Sequence, residues 1–453
     1  MKKSFQFLFV LLFLSLLSGA VQAEWYKGNF HMHTYWSDGG NLPENAIAQY
    51  QKQGYQFLCL TDHVFFQSDT LRIEDPWKKF YETPNPKAFE GETSRWRPIS
   101  PKSAAVLEAT KRFGADSLKF KTVGKQTYYR LATFSELEKR FNKPGKFVLI
   151  PGFELSTSSE GRQNHCNLIN FRGDYKPVSQ PTMTETIRSN YKLAKDFHAQ
   201  EIKSNEPWLF SINHPIWRYY DISPQYVIDL PEIRFFELNN NGLFMYSKFD
   251  APYYVHPDAW TPEKWWDIVN SFRAEKGQPL LIALGSDDRH SYDPEKIATP
   301  LGPHSWSWVD ADSLTPTDIV HAVSQAKVYC SNGITLQKIA FDKKSGTLDV
   351  EVKADSKLEY RIEFFGTKKG FDKTSTKFQC VIPDGKRKTK REIDLFSEQI
   401  GIVLKKVDGT KASYTLKDDD LYVRARVITL PVTYGSKGKM NPLPAAWSQA
   451  FTH

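Results

Sequence analysis

The chain has 453 residues, of which 40% are hydrophobic and 25% are charged, and its formal net charge is +8. This length exceeds one ordinary domain and indicates a large domain followed by a smaller one. The basic excess falls in residues 335–453, whereas residues 24–334 are close to neutral and lack the concentrated basic face that nucleic-acid recognition needs.

Residues 1–23 have the features of a cleavable signal peptide. Two lysines give a charged start, a short apolar stretch follows, and Ala23 ends a cleavage site of small residues. The apolar stretch is shorter than the ~20 residues that a membrane span needs, and no later segment has the required length and apolarity. We therefore expect a periplasmic or secreted protein without an integral membrane segment after cleavage; its oligomeric state is open.

Short apolar strands alternate with helical stretches up to residue 334. Strands are predicted at 29–33, 57–60, 146–150, 208–212, 235–238 and 280–284. Helices are predicted at 43–53, 183–201, 262–276 and 315–327. This alternation indicates a parallel sheet or barrel, in which active-site residues gather at the carboxyl ends of the strands. Residues 67–146 are weakly periodic and are predicted to be an insertion, either a lid over the substrate or a peripheral helical elaboration.

After residue 334 the hydrophobic pattern changes to a period of two, at 348–352, 360–364 and 422–427. Together with turn signals between these segments, the pattern predicts an antiparallel β domain over 335–453, most simply a small sandwich. The basic run at 386–391 is predicted to be a solvated hairpin loop, with binding of an anionic partner as the alternative.

Imidazole and carboxylate side chains recur in short clusters before this change of pattern. His31 and His33 are two residues apart on a predicted strand, so both point to one face and can bind the same ion. The spacing repeats after strand 280–284, and the whole set has nine members: His31, His33, Asp38, His63, Glu154, His165, His214, Asp288 and His290. Divalent zinc, manganese and iron prefer nitrogen and oxygen ligands of this kind, and a carboxylate such as Glu154 can bridge two ions.

These residues belong to motifs that follow one another in a fixed order. The motifs are His31-x-His33, Ser37-Asp38-Gly39, Thr61-Asp62-His63, Pro151-Gly152-Phe153-Glu154, Asn164-His165, Asn213-His214-Pro215 and Gly285-Ser-Asp-Asp-Arg-His290. The series resembles the PHP (polymerase and histidinol phosphatase) superfamily over about residues 25–334, and in particular its exported phosphoesterase branch with a C-terminal β domain. The resemblance implies a distorted (βα)7 barrel with a trinuclear site of two to three divalent ions (zinc, manganese or iron), followed by a small antiparallel β-sandwich-like domain.

Carried over position by position, the resemblance implies three ligand groups. They are His31, His33, Glu154 and Asp288; then Glu154, His165 and His214; and then Asp38, His63 and His290. Asp287 is the alternative to Asp288 or a partner outside the ligand set. Three further side chains are expected to orient the histidines from outside: Asp62, Asn164 and Asn213.

The function expected of this site is hydrolysis of a phosphate mono- or diester. The nucleophile would be a metal-bridging water beside Glu154, because metal binding lowers the pKa of water. Three arginines near the motifs are candidates for binding phosphate oxygens in bidentate fashion: Arg162, Arg218 and Arg289. Aromatic rings after one motif are candidates for stacking on a sugar or another ring: Trp217, Tyr219 and Tyr220.

Two alternatives stay open. One is hydrolysis of a carboxylic or carbamic ester, since the same ions polarise carbonyl groups. The other is a non-catalytic protein that binds a glycan or lipid head group on the same barrel, although a complete ligand set argues against it. The expected substrate is a small-molecule phosphoester or ester, with glycan- and lipid-derived compounds among the options.

Overall fold

The computed structural model describes residues 24–63, 95–173, 175–216, 221–240, 261–290, 292, 305–384, 387–430 and 444–453; the side chains of residues 380–389 lie outside this description. The predicted signal peptide and the first part of the predicted insertion fall outside these ranges. Within them the chain is a mixed α/β protein. No helix in the described ranges is long and apolar enough to cross a membrane.

Residues 24–334 consist of short strands joined by helices. The strands are β1 (Glu24–Asn29), β2 (Phe57–Cys59), β3 (Trp96–Pro98), β4 (Phe120–Val123), β5 (Gln126–Arg130), β6 (Val148–Ile150), β7 (Gly152–Ser159), β8 (Arg162–Ile169), β9 (Leu209–Ile212), β10 (Phe235–Asn239), β11 (Ile282–Gly285), β12 (Trp306–Ala311) and β13 (Val328–Ser331). The helices are α1 (Pro43–Lys52), α2 (Ala104–Phe113), α3 (Phe134–Phe141), α4 (Met183–Phe197), α5 (Gln225–Ile228), α6 (Pro262–Glu275) and α7 (Pro316–Ser324).

Capping residues at the N-termini of α6 and α7 explain why the sequence pattern predicted these two helices. The hydroxyl of Thr261 accepts a hydrogen bond from the backbone of Lys264, and that of Thr315 does the same for Asp318, with a proline at the first turn of each helix. The helices predicted at 262–276 and 315–327 are therefore confirmed, each slightly shorter than predicted. Helix α4 ends earlier than predicted, and a wider helical turn continues it to residue 202.

Two sheets carry the strands that lead to the motifs. One sheet has the order β11-β10-β9-β8-β7, and the other contains the run β13-β12-β1-β2-β6. The pairs β1–β2, β2–β6, β9–β10 and β10–β11 are parallel, as the βα alternation predicts. The pairs β7–β8 and β8–β9 in the first sheet and β1–β12 and β12–β13 in the second are antiparallel, so the expectation of a parallel arrangement is wrong there. In the first sheet the physical reason is a tight hairpin between β7 and β8, where no crossover helix intervenes.

The segments that follow these strands meet at their carboxyl ends. A single parallel pairing joins Met32, just after β1, to Arg289, after β11. A second one joins His63, after β2, to Glu154 at the start of β7. These pairings link the two sheets at the level of the predicted ligands.

The insertion is only partly described. Within residues 95–146 the strands β3, β5 and β4 form an antiparallel sheet, and α2 and α3 flank it. The buried rings of Trp36 and Tyr129 share one apolar cluster with α2. The described part is thus a packed elaboration of strands and helices; the lid alternative concerns residues outside the description.

Residues 335–453 are antiparallel. The strands are β14 (Leu336–Asp342), β15 (Thr347–Val352), β16 (Glu359–Gly366), β17 (Ser375–Asp384), β18 (Arg387–Phe396), β19 (Ile402–Asp408), β20 (Lys411–Thr415), β21 (Arg424–Leu430) and β22 (Ala445–Trp447). The sheet β14-β15-β20 and the run β19-β16-β21-β22 share one apolar core that includes Leu348, Ile362 and Val427. Strand β22 pairs with β13, so this run continues into the sheet of β12, β1, β2 and β6 as nine strands.

The strands β17 and β18 form a separate hairpin that packs on residues 24–334. Ile393 of β18 is buried in the large core cluster of that part. Arg391 Nη1 lies 2.5 Å from Asp221 Oδ1. The prediction of a solvated loop at 386–391 is therefore wrong for residues 387–391, which belong to a paired strand. It is also wrong for the Arg391 side chain, which is mostly buried.

A buried ion network joins α6 to β21. Arg424 is 1% exposed, and its Nε and Nη2 donate to the two oxygens of Asp267 at 2.8 and 2.6 Å. Its Nη1 donates to Glu263 at 3.0 Å, and Tyr422 donates to Asp267 at 2.8 Å. The N- and C-terminal parts of the chain are thus held together by charges as well as by the shared sheet.

Candidate metal centre

The predicted ligands surround one cavity of about 540 Å³. Seven of them line it: Asp38, His63, Glu154, His165, His214, Asp288 and His290. His31 and His33 lie beneath, and both are fully buried. The structure therefore brings together all nine side chains, which the sequence spreads over 260 positions.

The first predicted group is compact. The Nε2 atoms of His31 and His33 are 3.1 Å apart, and Asp288 Oδ1 lies 3.3 and 3.0 Å from them. The two oxygens of Glu154 lie 3.4 Å from His31 Nε2 and 3.5 Å from His33 Nε2. A tetrahedral ion with bonds of 2.0–2.1 Å places its ligand atoms about 3.3 Å apart, so these spacings fit a shared ion.

Glu154 is central to the site. Its Oε1 lies 3.2 Å from His165 Nδ1 and 3.4 Å from His214 Nε2, and its Oε2 lies 2.8 Å from His63 Nδ1. Asn213 donates to Oε1 at 2.7 Å and fixes the carboxylate in this position. One carboxylate is therefore shared by the first and second predicted groups.

Asp38 reaches the third group through a tight turn. Its oxygens lie 3.3 Å from His290 Nε2 and 3.6 Å from His63 Nε2. The next residue is Gly39, where a Cβ atom would lie 2.4 Å from the backbone of His33. Only glycine permits this approach, and it brings Asp38 back over the strand as the Ser-Asp-Gly pattern predicts.

Two of the predicted ligands have strained backbones. His214 has a φ of 26° and Asp288 a φ of 46°, in the left-handed region that non-glycine residues rarely adopt. Such residues cost about 1–3 kcal/mol each and persist where the surroundings hold them. Strain at these two positions is typical of functional sites.

Sequence reasoning missed Glu237, a fully buried carboxylate on β10. Its Oε1 lies 2.6 Å from His31 Nδ1 and accepts from Ser286 Oγ at 2.6 Å. Its Oε2 accepts from the backbone of His214 at 3.0 Å and from Asn240 at 2.8 Å. Because a carboxylate only accepts, His31 carries its proton on Nδ1 and presents the Nε2 lone pair to the cavity. The available signal was a lone glutamate within an apolar predicted strand.

Of the three residues expected to orient the histidines, Asp62 does so only indirectly, and the two asparagines contact other groups. Asp62 accepts from Ser37 Oγ at 2.6 Å, and that hydroxyl lies 3.2 Å from His33 Nδ1, so Asp62 supports His33 through an intermediary. Asn213 holds Glu154, and Asn164 donates to a threonine of β7. Among the described contacts, neither asparagine hydrogen-bonds to a histidine ring.

Asp287 and Asp288 point in opposite directions. Asp287 accepts from Asn29 at 2.7 Å and from Tyr50 at 2.6 Å, outside the ligand cluster. Burial raises the pKa of Asp287 to about 6, although the nearby charge of Arg289 opposes this. Asp288 is the aspartate that lies beside the imidazoles.

The two described arginines that were predicted to bind phosphate, Arg162 and Arg289, do not line the described wall of the cavity. Arg162 and His165 face opposite sides of β8, and Arg162 donates to the backbone of β18 at 2.8 Å. Arg289 precedes His290, so its guanidinium points away and packs 5.0 Å from the Tyr292 ring. Alternation of side chains explains both corrections. Four further candidates lie outside the described residues: Arg218, Trp217, Tyr219 and Tyr220.

The remaining described wall of the cavity is polar and uncharged. It consists mainly of hydroxyl and amide side chains from β7, β8 and the loop that follows: Ser156, Thr157, Ser158, Gln163 and Ser179. Ser156 and Ser158 share the face of β7 that carries Glu154, which is the parity expected of a strand. The sequence interpretation lacked this hairpin and therefore these residues.

The electrostatics of the site favour positive charge. Burial lowers the pKa of His63, but the carboxylates of Glu154 and Asp38 together outweigh burial and raise the pKa to about 10. Burial also lowers the pKa of His290, but the nearby carboxylates of Asp288 and Asp38 outweigh burial and raise the pKa to about 9. At His165 burial dominates and the pKa falls to about 4. The carboxylates therefore attract protons onto some imidazoles and would attract a cation in their place.

The donor set fits divalent ions. Three groups each offer ligand atoms within 4.8 Å of one another: His33, Asp38, His63 and His290; His31, His33 and Asp288; and His63, Glu154 and His165. Glu154 Oε2 and Asp288 Oδ1 are buried and lie 2.8 Å from His63 Nδ1 and 3.0 Å from His33 Nε2, but no donor in the described chain meets hydrogen-bond geometry at either oxygen. Buried acceptors normally have partners, so these atoms are suited to a metal.

Comparison with known proteins gives structural similarities only. No protein-family model and no curated protein sequence matches the chain. A two-domain protein from Bacteroides vulgatus that contains a predicted PHP-like metal-dependent phosphoesterase is 15% identical, with 87% of this chain and 96% of that chain covered and a TM-score of 0.38. A candidate metal-dependent phosphoesterase from Bifidobacterium adolescentis is 12% identical, with 62% and 92% covered and a TM-score of 0.27.

A third similar structure is an amidohydrolase from Chromobacterium violaceum with bound sulfate and no metal. It is 12% identical, with 60% of this chain and 90% of that chain covered and a TM-score of 0.26. The first of the three descriptions names the PHP group that the sequence motifs resemble. With TM-scores below 0.5 these similarities do not establish a shared activity, and the function proposed next rests on the side chains of the site.

Proposed function

We propose that this chain is a metal-dependent hydrolase of the PHP superfamily, and specifically an exported phosphoesterase. The observation that carries the proposal is the convergence of nine imidazole and carboxylate side chains around one cavity. We also propose that the ring of strand ends is the distorted barrel of that superfamily and that residues 335–453 form its β-sandwich-like accessory domain.

The side chains would hold two to three zinc, manganese or iron ions. His31, His33 and Asp288 would hold the first together with Glu154, which also belongs to the second group with His165 and His214. The third group would consist of Asp38, His63 and His290. Support comes from the donor spacings of 3.0–3.5 Å in the first group and from the acceptor atoms without hydrogen bonds.

When bound, such ions lower the pKa of a coordinated water and neutralise charge that develops on phosphoryl oxygens. The protein would position that chemistry through Glu154, which Asn213 holds at 2.7 Å, and through His31, which Glu237 fixes. The uncharged hydroxyl and amide wall of β7 and β8 would bind the leaving group by hydrogen bonds.

The composition of this wall also suits the alternative function, hydrolysis of a carboxylic or carbamic ester. The described lining contains no lysine or arginine, so an uncharged carboxylic or carbamic ester would also fit the cavity. The two functions differ in the substrate that is turned over.

The test is to purify residues 24–453, measure bound metals and assay p-nitrophenyl phosphate, bis-p-nitrophenyl phosphate and p-nitrophenyl acetate. Glu154→Ala is the site variant, and Glu138→Ala, a partly exposed carboxylate, is the matched control. Bound transition metal with phosphate-ester turnover, lost in Glu154→Ala alone, would support the proposal. Acetate hydrolysis alone would favour the ester alternative, and a protein without metal or turnover would refute both.

A further inference from the structure

Three segments of the chain meet beside the metal cavity around Arg391 of β18. The guanidinium pairs with Asp221 at 2.5 Å and donates to the backbone oxygen of Gly161, in the turn between β7 and β8, at 3.2 Å. The side chains of Arg391 and Asp221 are only 11% and 5% exposed. One side chain from the C-terminal part thus joins two segments that border the site.

Asp221 is directly connected to the segment that carries His214. The next residue, Ile222, donates its backbone N–H to the oxygen of Pro215 at 2.9 Å, and Pro215 follows His214 in sequence. A small cavity at this point is lined by residues of both segments: Gln163, His165, Asn213, His214, Asp221 and Ile222. A displacement of Asp221 would therefore be passed to His214 through the hydrogen bond between Ile222 and Pro215.

His214 needs such support because its backbone is strained, with a φ of 26°. A strained residue keeps its conformation only where several contacts hold it. Glu237 holds the backbone N–H of His214 at 3.0 Å on the inner side. On the outer side, Pro215 is linked by its hydrogen bond to Ile222, whose neighbour Asp221 pairs with Arg391.

We propose that Arg391 is a positioning residue for the metal centre, acting through Asp221 on the segment that presents His214. The hairpin β17–β18 would then be a working part of the site and not only an attachment of the C-terminal part. This inference rests on the proposed function, since it takes His214 as a metal ligand.

The test is titration of the metal-free protein with Co²⁺, followed by the visible absorption bands that report the ligands of the ion. The variants are Arg391→Ala and Arg391→Lys. Arg361→Ala is the control, because Arg361 forms an exposed ion pair with Asp408 in the same part of the chain. Circular dichroism and thermal unfolding show whether each variant is folded.

We expect Arg391→Ala to bind Co²⁺ about tenfold more weakly and with altered bands, as loss of a residue that supports a ligand does. Arg391→Lys should recover part of the affinity, because it keeps the charge but not the two-pronged contact, and Arg361→Ala should match wild type. A folded Arg391→Ala with wild-type affinity and bands would overturn the inference, even if it melts earlier. If that variant does not fold, Arg391→Lys decides in the same way. A wild-type protein that binds no Co²⁺ would instead refute the proposed function itself.

Discussion

Replacing Glu237 with glutamine keeps the shape of the side chain but exchanges one accepting oxygen for a donating nitrogen. In the wild type Glu237 Oε1 accepts hydrogen bonds from His31 Nδ1 and Ser286 Oγ. Oε2 accepts hydrogen bonds from the backbone N–H of His214 and from the Asn240 side chain. Serine and asparagine side chains can turn to accept a hydrogen bond. The backbone of His214 and the ring of His31 have no equally simple adjustment.

Glutamine therefore has two unfavourable orientations. If its nitrogen faces His214, two N–H groups oppose each other next to a strained residue. If it faces His31, the ring must move its proton to Nε2, the atom that points to Asp288 and Glu154. Residues that support metal-bound histidines typically contribute 10–100-fold to affinity. We expect a loss of that size, about 1.4–2.7 kcal/mol.

Calorimetric titration of the metal-free protein with Zn²⁺ measures this loss. Glu363→Gln is the matched control, because Glu363 is also a buried glutamate but pairs with Arg426 at 2.7 Å in the C-terminal part. It should lower stability and leave Zn²⁺ affinity unchanged. Equal affinities for wild type and a folded Glu237→Gln variant would refute the role assigned to Glu237.

Three further predictions concern stability. Arg424→Met should lower the free energy of unfolding by about 3–5 kcal/mol in urea titrations, because it leaves the buried Asp267 carboxylate without its cationic partner, and adding Asp267→Leu should recover much of the loss. Gly401→Ala should cost more than about 1 kcal/mol in the same assay, since Gly401 has a φ of 66° and a Cβ would lie 2.4 Å from Asp267 Oδ2; no loss would contradict the described contact. Burial lowers the pKa of Lys27 from 10.5 to about 8. The unfolded chain then holds that proton more tightly, so the contribution of Lys27 to stability should rise with pH between about 8 and 10.5. The change in unfolding free energy between these two limits should therefore be less favourable for Lys27→Met than for wild type.

Much of the fold followed from local patterns. Helices α6 and α7 have a capping threonine and a proline at their starts, and strands β2, β9 and β10 are short apolar runs, so the sequence marks all five. The hairpin β7–β8 was missed because residues 156–159 are all hydroxyl-bearing and lack an apolar alternation. Strand β8 also pairs with β9, a contact between distant segments that no local pattern reports.

The same distinction applies to the site. The nine ligands could be predicted from the sequence because they lie in short motifs such as His31-x-His33, whose spacing itself places two side chains on one face. Glu237 has no such neighbour, and its link to His31 depends on the distance between strands. The assignments of Arg162 and Arg289 failed because nearness in sequence was used where strand parity decides the direction of a side chain.

Strand β22 has a consequence for how the chain reaches its final form. It lies between β13 and β21, and the ribosome makes it long after β13. Until residues 445–447 arrive, the edge of β13 stays open and the sheet that underlies the candidate metal centre is incomplete. On the proposed export of an unfolded chain, this sheet would close only after residues 445–447 have crossed, so metal loading would follow their translocation and not precede it.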